Sequence, residues 1–163
     1  MKRRKICLGV AAAVMLIAVA LFGFAWSGRG TWLVLRDFQT NQVYARYPIQ
    51  PGEEFSIEFK HSVNKTPVRD VYQITEDGRF HNVRCIYYGF GAGVQTQLEE
   101  GETLSYQDGA MIIDNIQKYY SQLIYSLVPI STHALRVGEE EVFLPGLIDG
   151  EAVLVFTIER HLF

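Results

Sequence analysis

Cysteine is scarce in this chain, and its scarcity excludes one architecture at once. The 163 residues hold two. Cys7 lies in an apolar N-terminal run, so Cys85 stands by itself in the rest, and no disulfide framework can hold that part together. Histidine is sparse as well. His61, His81, His133 and His161 show no ligand spacing with one another or with a cysteine, so no zinc centre is expected. Positive charge is in deficit. The net charge is −3, and without Lys2, Arg3, Arg4 and Lys5 it falls to near −7. An acidic domain with no basic stripe is a poor partner for nucleic acid. No internal repeat, low-complexity segment or phosphate-binding glycine loop ending in Gly-Lys-Ser/Thr is present, and no cofactor is expected.

What is present begins with the four cations at Lys2–Lys5, followed by an uncharged apolar run from Ile6 to Trp26. Cations before an apolar run make an export signal, and about twenty apolar residues suffice to span a bilayer. Small residues at Ala18-Val19-Ala20 and Gly23-Phe24-Ala25 offer cleavage patterns. Residues 1–26 are thus expected to be a signal peptide or a single membrane anchor. Residues 27–30 form a linker, and residues 31–163 an extracytoplasmic domain, because the cationic end stays in the cytoplasm. The domain is then membrane-tethered, or secreted if the signal is cleaved.

Beyond the linker the hydrophobic pattern has period two. Thr31–Arg36 and Asn41–Tyr47 read as hairpin partners. Phe55, Ile57 and Phe59 alternate with Ser56, Glu58 and Lys60, the sharpest half-buried strand in the chain. Val68–Thr75 and Phe80–Tyr88 flank a Glu76-Asp77-Gly78 turn, and Asp108-Gly109 separates Leu104–Gln107 from Ala110–Ile113. Asn115–Val128 suits either a helix or a bulged strand, and its aromatic and β-branched content favours strand. His133–Val137, Glu141–Leu144 and Val153–Arg160 complete the pattern. About ten short strands predict an all-β antiparallel sandwich or barrel following an N-terminal hydrophobic helix.

Two polar stretches invite a functional reading. FKHSVNKTPV runs a strand into His61, Ser62, Lys65 and Thr66, with Arg69 and Asp70 just beyond. On a regular strand His61 shares the face of Phe59, and Ser62 the opposite one, so the two do not make a nucleophile–base pair. The stretch is either a strand end and turn or a pocket mouth with Lys65 and Arg69 as anion ligands. YYGFGAG places glycines at alternate positions around Phe90, Gly91 and Gly93. It is either a bend at a sheet corner or a loop whose amides approach a ligand. Cys85 reads as a small core residue. No residue stands out as catalytic.

Taken together, FSIEFKHSVNKTPVRDVYQI and IYYGFGAG resemble a bacterial family of small exported proteins, the domain-of-unknown-function family numbered eighteen-fifty. The matching motifs are His61-Ser62-Val63, Lys65-Thr66-Pro67-Val68 and Phe90-Gly91-Ala92-Gly93. The family pattern carries an acid directly after Pro-Val, where this chain has Arg69 and then Asp70. The resemblance implies an accessory role beside tripartite importers of the TAXI type of TRAP transporter, whose solute receptor and fused permease take up carboxylates. The partner would be that permease or receptor. Two other readings remain open: a stand-alone carboxylate-binding module using Lys65, Arg69 and the Gly89–Gly93 amides, and an exported hydrolase using Ser62 with His61.

Overall fold

The computed structural model describes residues 30–61, 65–89, 94–95, 97–128 and 132–161. By its contacts the chain divides into two units, Thr31–Glu159 and a second made of residues 1–30 and 160–163. The first unit contains the architecture below. Of the second, the described residues are Gly30, Arg160 and His161, the ends of two strands. The apolar run Ile6–Trp26, and with it the expected N-terminal helix, lies outside the described residues. Among those described, no helix is long and apolar enough to cross a membrane.

Eleven strands are described: β1 (Gly30–Asp37), β2 (Val43–Pro48), β3 (Glu54–Lys60), β4 (Pro67–Ile74), β5 (Phe80–Tyr87), β6 (Thr103–Gln107), β7 (Ala110–Tyr120), β8 (Leu123–Leu127), β9 (Ala134–Val137), β10 (Glu140–Phe143) and β11 (Ala152–His161). A short 3-10 turn at Leu144–Leu147 precedes β11. The fold is all-β, as the period-two pattern predicts. One sheet has the order β2-β1-β11-β8, the other β10-β9-β3-β4-β5-β7-β6. Asn115–Val128 is extended, with Asn115 at φ +62° inside β7. The chain then crosses at residues 121–122 to the smaller sheet as β8.

The two sheets share one apolar cluster. Leu33, Leu35, Leu127, Leu154 and Phe156 of the four-stranded sheet join Phe55, Ile57, Tyr72, Ile74, Phe80 and Leu135 of the seven-stranded one. Alternation along each strand puts these residues on the facing surfaces, the arrangement of a β-sandwich. Phe55 stacks on Tyr72 and meets Phe80 edge-on, with centroids 5.4 and 5.7 Å away. A second cluster belongs to the larger sheet alone: Val68, Tyr87, Met111, Ile113 and Ile116. Seven strands therefore outreach four. Among the described residues, no strand of the smaller sheet joins the apolar cluster at the β7 end.

Period two is broken once where it matters. The β4–β5 and β5–β7 registers both shift between Asn82 and Arg84. Against β4, Val83 is an extra residue in β5, a β-bulge; against β7 the surplus lies in β7, where residues 115–117 oppose Val83. Before it Phe80 and Asn82 face inward; after it Cys85 and Tyr87 do. Asn82 and Cys85, three residues apart, thus share a face, with side chains about one long contact apart at 4.0 Å.

Phe80 is fully buried in the shared cluster, whereas Leu104 is 42% exposed on the overhang. Phe80→Ala should therefore cost about 3–5 kcal/mol and Leu104→Ala about 0.5 kcal/mol or less. Urea unfolding midpoints at unchanged m-value would measure both. Equal losses would refute the assignment of core and overhang.

Candidate functional site

Where β4 passes between the two apolar clusters, it turns a carboxylate inward. Asp70 lies opposite Ile57 on one side and Cys85 on the other. A buried carboxyl needs hydrogen-bond donors. The Cys85 thiol donates to Oδ1, with sulfur 2.8 Å away, and the Tyr125 hydroxyl of the facing sheet also bonds the carboxyl. The Tyr125 and Tyr72 hydroxyls are 3.0 Å apart. Asn82, buried and brought inward by the bulge, reaches the Tyr72 hydroxyl. One polar network thus links β4, β5 and β8.

Its electrostatics oppose ionisation throughout. Burial raises the Asp70 carboxyl above its ordinary 3.8, against the lowering effect of its bonds from Cys85 and Tyr125. Burial, then the nearby Asp70 charge, pushes the Cys85 thiol far up. Tyr72 and Tyr125 rise too, first through burial, and Tyr87 is pushed up to about 12, also mainly by burial. A thiol held away from its thiolate is a poor nucleophile. The network orders the core and is not arranged for covalent chemistry. His133 lies nearby, stacked on Phe59 at 5.4 Å and edge-on to Tyr125 at 5.7 Å. Its Nδ1 is buried without a hydrogen-bond partner, and burial lowers its pKa.

The sequence candidates separate into two places. Strand β3 stops at Lys60, one residue before His61. His61 opens a loop closed by main-chain bonds, His61 N–H to Thr66 O at 2.8 Å and Lys65 N–H to His61 O at 3.0 Å. Lys65 is exposed and sits at φ +57°. Arg69 points away from Asp70, onto the outer face. There its Nε and Nη2 reach Glu58 Oε2 at 2.9 and 2.6 Å, and its guanidinium carbon lies 5.8 Å from the Tyr88 ring centre. An acid directly after Pro-Val, as the family pattern has it, would face Glu58. Asp70 faces inward and is no substitute for it. Ser62, Phe90, Gly91 and Gly93 lie outside the described residues.

The two motif stretches meet. A Cβ placed on Gly89 would lie 2.5 Å from Thr66 Cγ2 and 3.0 Å from its Cβ and Oγ1. Tyr88 N–H bonds Pro67 O at 3.1 Å, and Lys60 N–H bonds Thr132 Oγ1 at 3.0 Å. The β3–β4 loop, the segment after β5 and the segment before β9 therefore gather at one end of the larger sheet. Glycine at 89 is required by this approach, not by an unusual φ. A cleft of about 430 Å³ opens elsewhere, beside Tyr47, Ile49 and Val137, but Glu53, Glu54 and Glu140 line it and suit it poorly to carboxylates. Among the described residues no group of acidic, histidine and cysteine side chains could hold a metal.

Sequence reasoning singled out Asp70 but not Cys85, Tyr72, Asn82 or Tyr125 as its company. The available signal was the pairing of two hairpins that puts position 70 beside position 85. The bulge and the opposite sheet left no trace in the pattern.

Residues 55–144, more than half the chain, match the family described as Domain of unknown function (DUF1850), and the chain belongs to that family. Both motif stretches and the Asp70 network, Tyr125 included, fall within that span. No curated protein and no solved structure matches the chain.

Two measurements follow from this geometry. The folded Asp70 binds its proton more tightly than the unfolded chain does, so its contribution is complete below about 3.8 and is lost as pH rises through the folded value. Asp70→Asn should therefore melt progressively higher relative to the native chain as pH goes from about 4 to 7; parallel melting curves would refute the buried acid. Gly89→Ala should cost about 1–3 kcal/mol by overpacking against Thr66. Thr66→Ser, which removes Cγ2, should restore part of it in the double variant, and strict additivity would contradict the contact.

Proposed function

We propose that this domain is an accessory protein of a TAXI-type TRAP importer, working outside the cytoplasm by protein–protein contact and tethered through Ile6–Trp26. The observation that carries this reading is the meeting of the two family motifs. Thr66 and Gly89 touch at one end of the larger sheet, while exposed Lys65 and Tyr88 remain on its surface. Motif residues that pack into one surface, above polar groups bonded to each other, suit a docking face better than an open pocket. Membership of the family supplies the expected partner, the permease or its solute receptor, by resemblance.

The carboxylate-binding alternative is weaker because Arg69 is already bonded to Glu58. Lys65 remains its best cation, and Lys65→Gly is a clean variant, since φ +57° suits glycine. The hydrolase reading rests on Ser62 with His61, and Ser62 lies outside the described residues.

The test is co-expression of the full chain with a TAXI-type permease and receptor, followed by capture on the tagged permease. The chain should be retained, and Lys65→Gly with Tyr88→Ser should reduce retention about tenfold. A chain that fractionates alone beside abundant permease would sink the proposal. A melting shift with dicarboxylates that vanishes in Lys65→Gly would favour the binding module instead; saturation at a hundredfold over Kd stabilises by about 2.7 kcal/mol.

A further inference from the structure

Strand β2 is the edge of the smaller sheet and β10 the edge of the larger one. The cleft of about 430 Å³ is lined from both. Tyr47 and Ile49 come from β2 and the residues just after it, Val137 from the end of β9 and Glu140 from the start of β10.

Register fixes which way Glu140 points. It pairs with Val137, and Val137 pairs with Phe55. Directly paired residues share a face, and Phe55 belongs to the core. Glu140 therefore stands on the inner face, in a row otherwise apolar. Among the described residues, no ion pair involves Glu53, Glu54 or Glu140. Arg136, next to Val137 in the chain, is bonded to Glu141. The Glu53 carboxylate accepts Gln50 N–H.

Tyr47 meets this charge from the smaller sheet. It pairs with Leu33, a core residue, so its ring points inward and packs in the shared cluster. It is 9% exposed, and the surface left open lines the cleft. Among the described residues its hydroxyl has no hydrogen-bond partner, although a buried phenol ordinarily finds one. Burial first, and then the charge of Glu140, raises its pKa, which marks the two groups as neighbours. Protection of a sheet edge accounts for an inward charge on β10. It does not account for an unbonded phenol facing that charge.

We propose that this cleft binds a primary alkylamine as its ammonium ion. The ammonium donates to the Glu140 carboxylate and to the Tyr47 hydroxyl oxygen, and the hydrocarbon chain lies along Ile49 and Val137. An ammonium carries three donors, and a phenol oxygen can accept. Its bond to the carboxylate is charge-assisted, the stronger kind. Glu53 and Glu54 line the same cleft and add negative potential, which attracts a cation and repels an acid. A metal ion suits the cleft less well, since no group of acidic side chains among the described residues converges enough to hold one.

The test is a calorimetric titration of the full chain in mild detergent at neutral pH, with the detergent alone as blank. Pentan-1-amine is the probe and pentan-1-ol its uncharged counterpart. A ligand this small suits a Kd of about 1 mM. The amine should bind saturably and the alcohol should not. Glu140→Gln and Tyr47→Phe, which keep shape, should each weaken amine binding about tenfold with unchanged far-ultraviolet spectra. Glu139→Gln removes the same charge from the adjacent turn, outside the cleft, and should leave binding intact. No saturable binding, equal binding of the alcohol, or an affinity indifferent to Glu140→Gln or to Tyr47→Phe would each overturn the proposal. No importer enters the titration, so the proposal fails or stands apart from the accessory role.

Discussion

A carboxyl group taken out of water must be given donors, and Asp70 receives them from both layers of the sandwich. Cys85 donates from the neighbouring strand of its own sheet, and Tyr125 bonds it from across the core. The rest of the interior is arranged around that requirement. Tyr72 bonds Tyr125, Asn82 bonds Tyr72, and the bulge at Val83 lets Asn82 and Cys85 face the same way. An apolar core is indifferent to small slides of one sheet over the other; a bonded network joining β4, β5 and β8 is not. Hydrophobic burial stabilises the sandwich, and the network selects one alignment of its layers.

Unequal sheets have a second consequence. Four strands cover part of seven: the β7 residues Met111, Ile113 and Ile116 are buried in a cluster that, among the described residues, no strand of the smaller sheet joins. Leu104 and Tyr106 are placed as core residues are and left exposed. The motif-bearing loops lie off strand ends β3, β4 and β5, where Gly89 lies against Thr66. One surface is built from loops, the other from an edge, and the two have different chemistry: a cation and a tyrosine at the first, an uncharged ladder at the second.

Much of the fold was legible because period two is a local signal. The Phe55-Ile57-Phe59 alternation, the Asp108-Gly109 turn and the breaks at Gly78 and Gly138 each reflect residues a few positions apart, and the strands fall there. Asn115–Val128 was legible as extended from its aromatic and β-branched content. His61 follows the last residue of β3, and its main-chain bonds with Thr66 and Lys65 carry the β3–β4 pairing one residue further and close the loop. The opposite orientations of Arg69 and Asp70 follow from alternation, yet their partners do not. Glu58 and Cys85 are 11 and 15 residues away and meet them only through strand register.

Composition and periodicity determined by themselves the class of fold, the absence of a disulfide framework, the acidic balance and the positions of the turns, because each depends on residue counts or on neighbours along the chain. Tertiary structure decided which strands lie in which sheet, that β8 leaves the larger sheet for the smaller, that a bulge turns Asn82 inward, and that a lone cysteine becomes a donor to a buried acid. Those outcomes depend on distant segments competing for the same faces and the same hydrogen bonds. That competition is resolved only when the chain closes on itself.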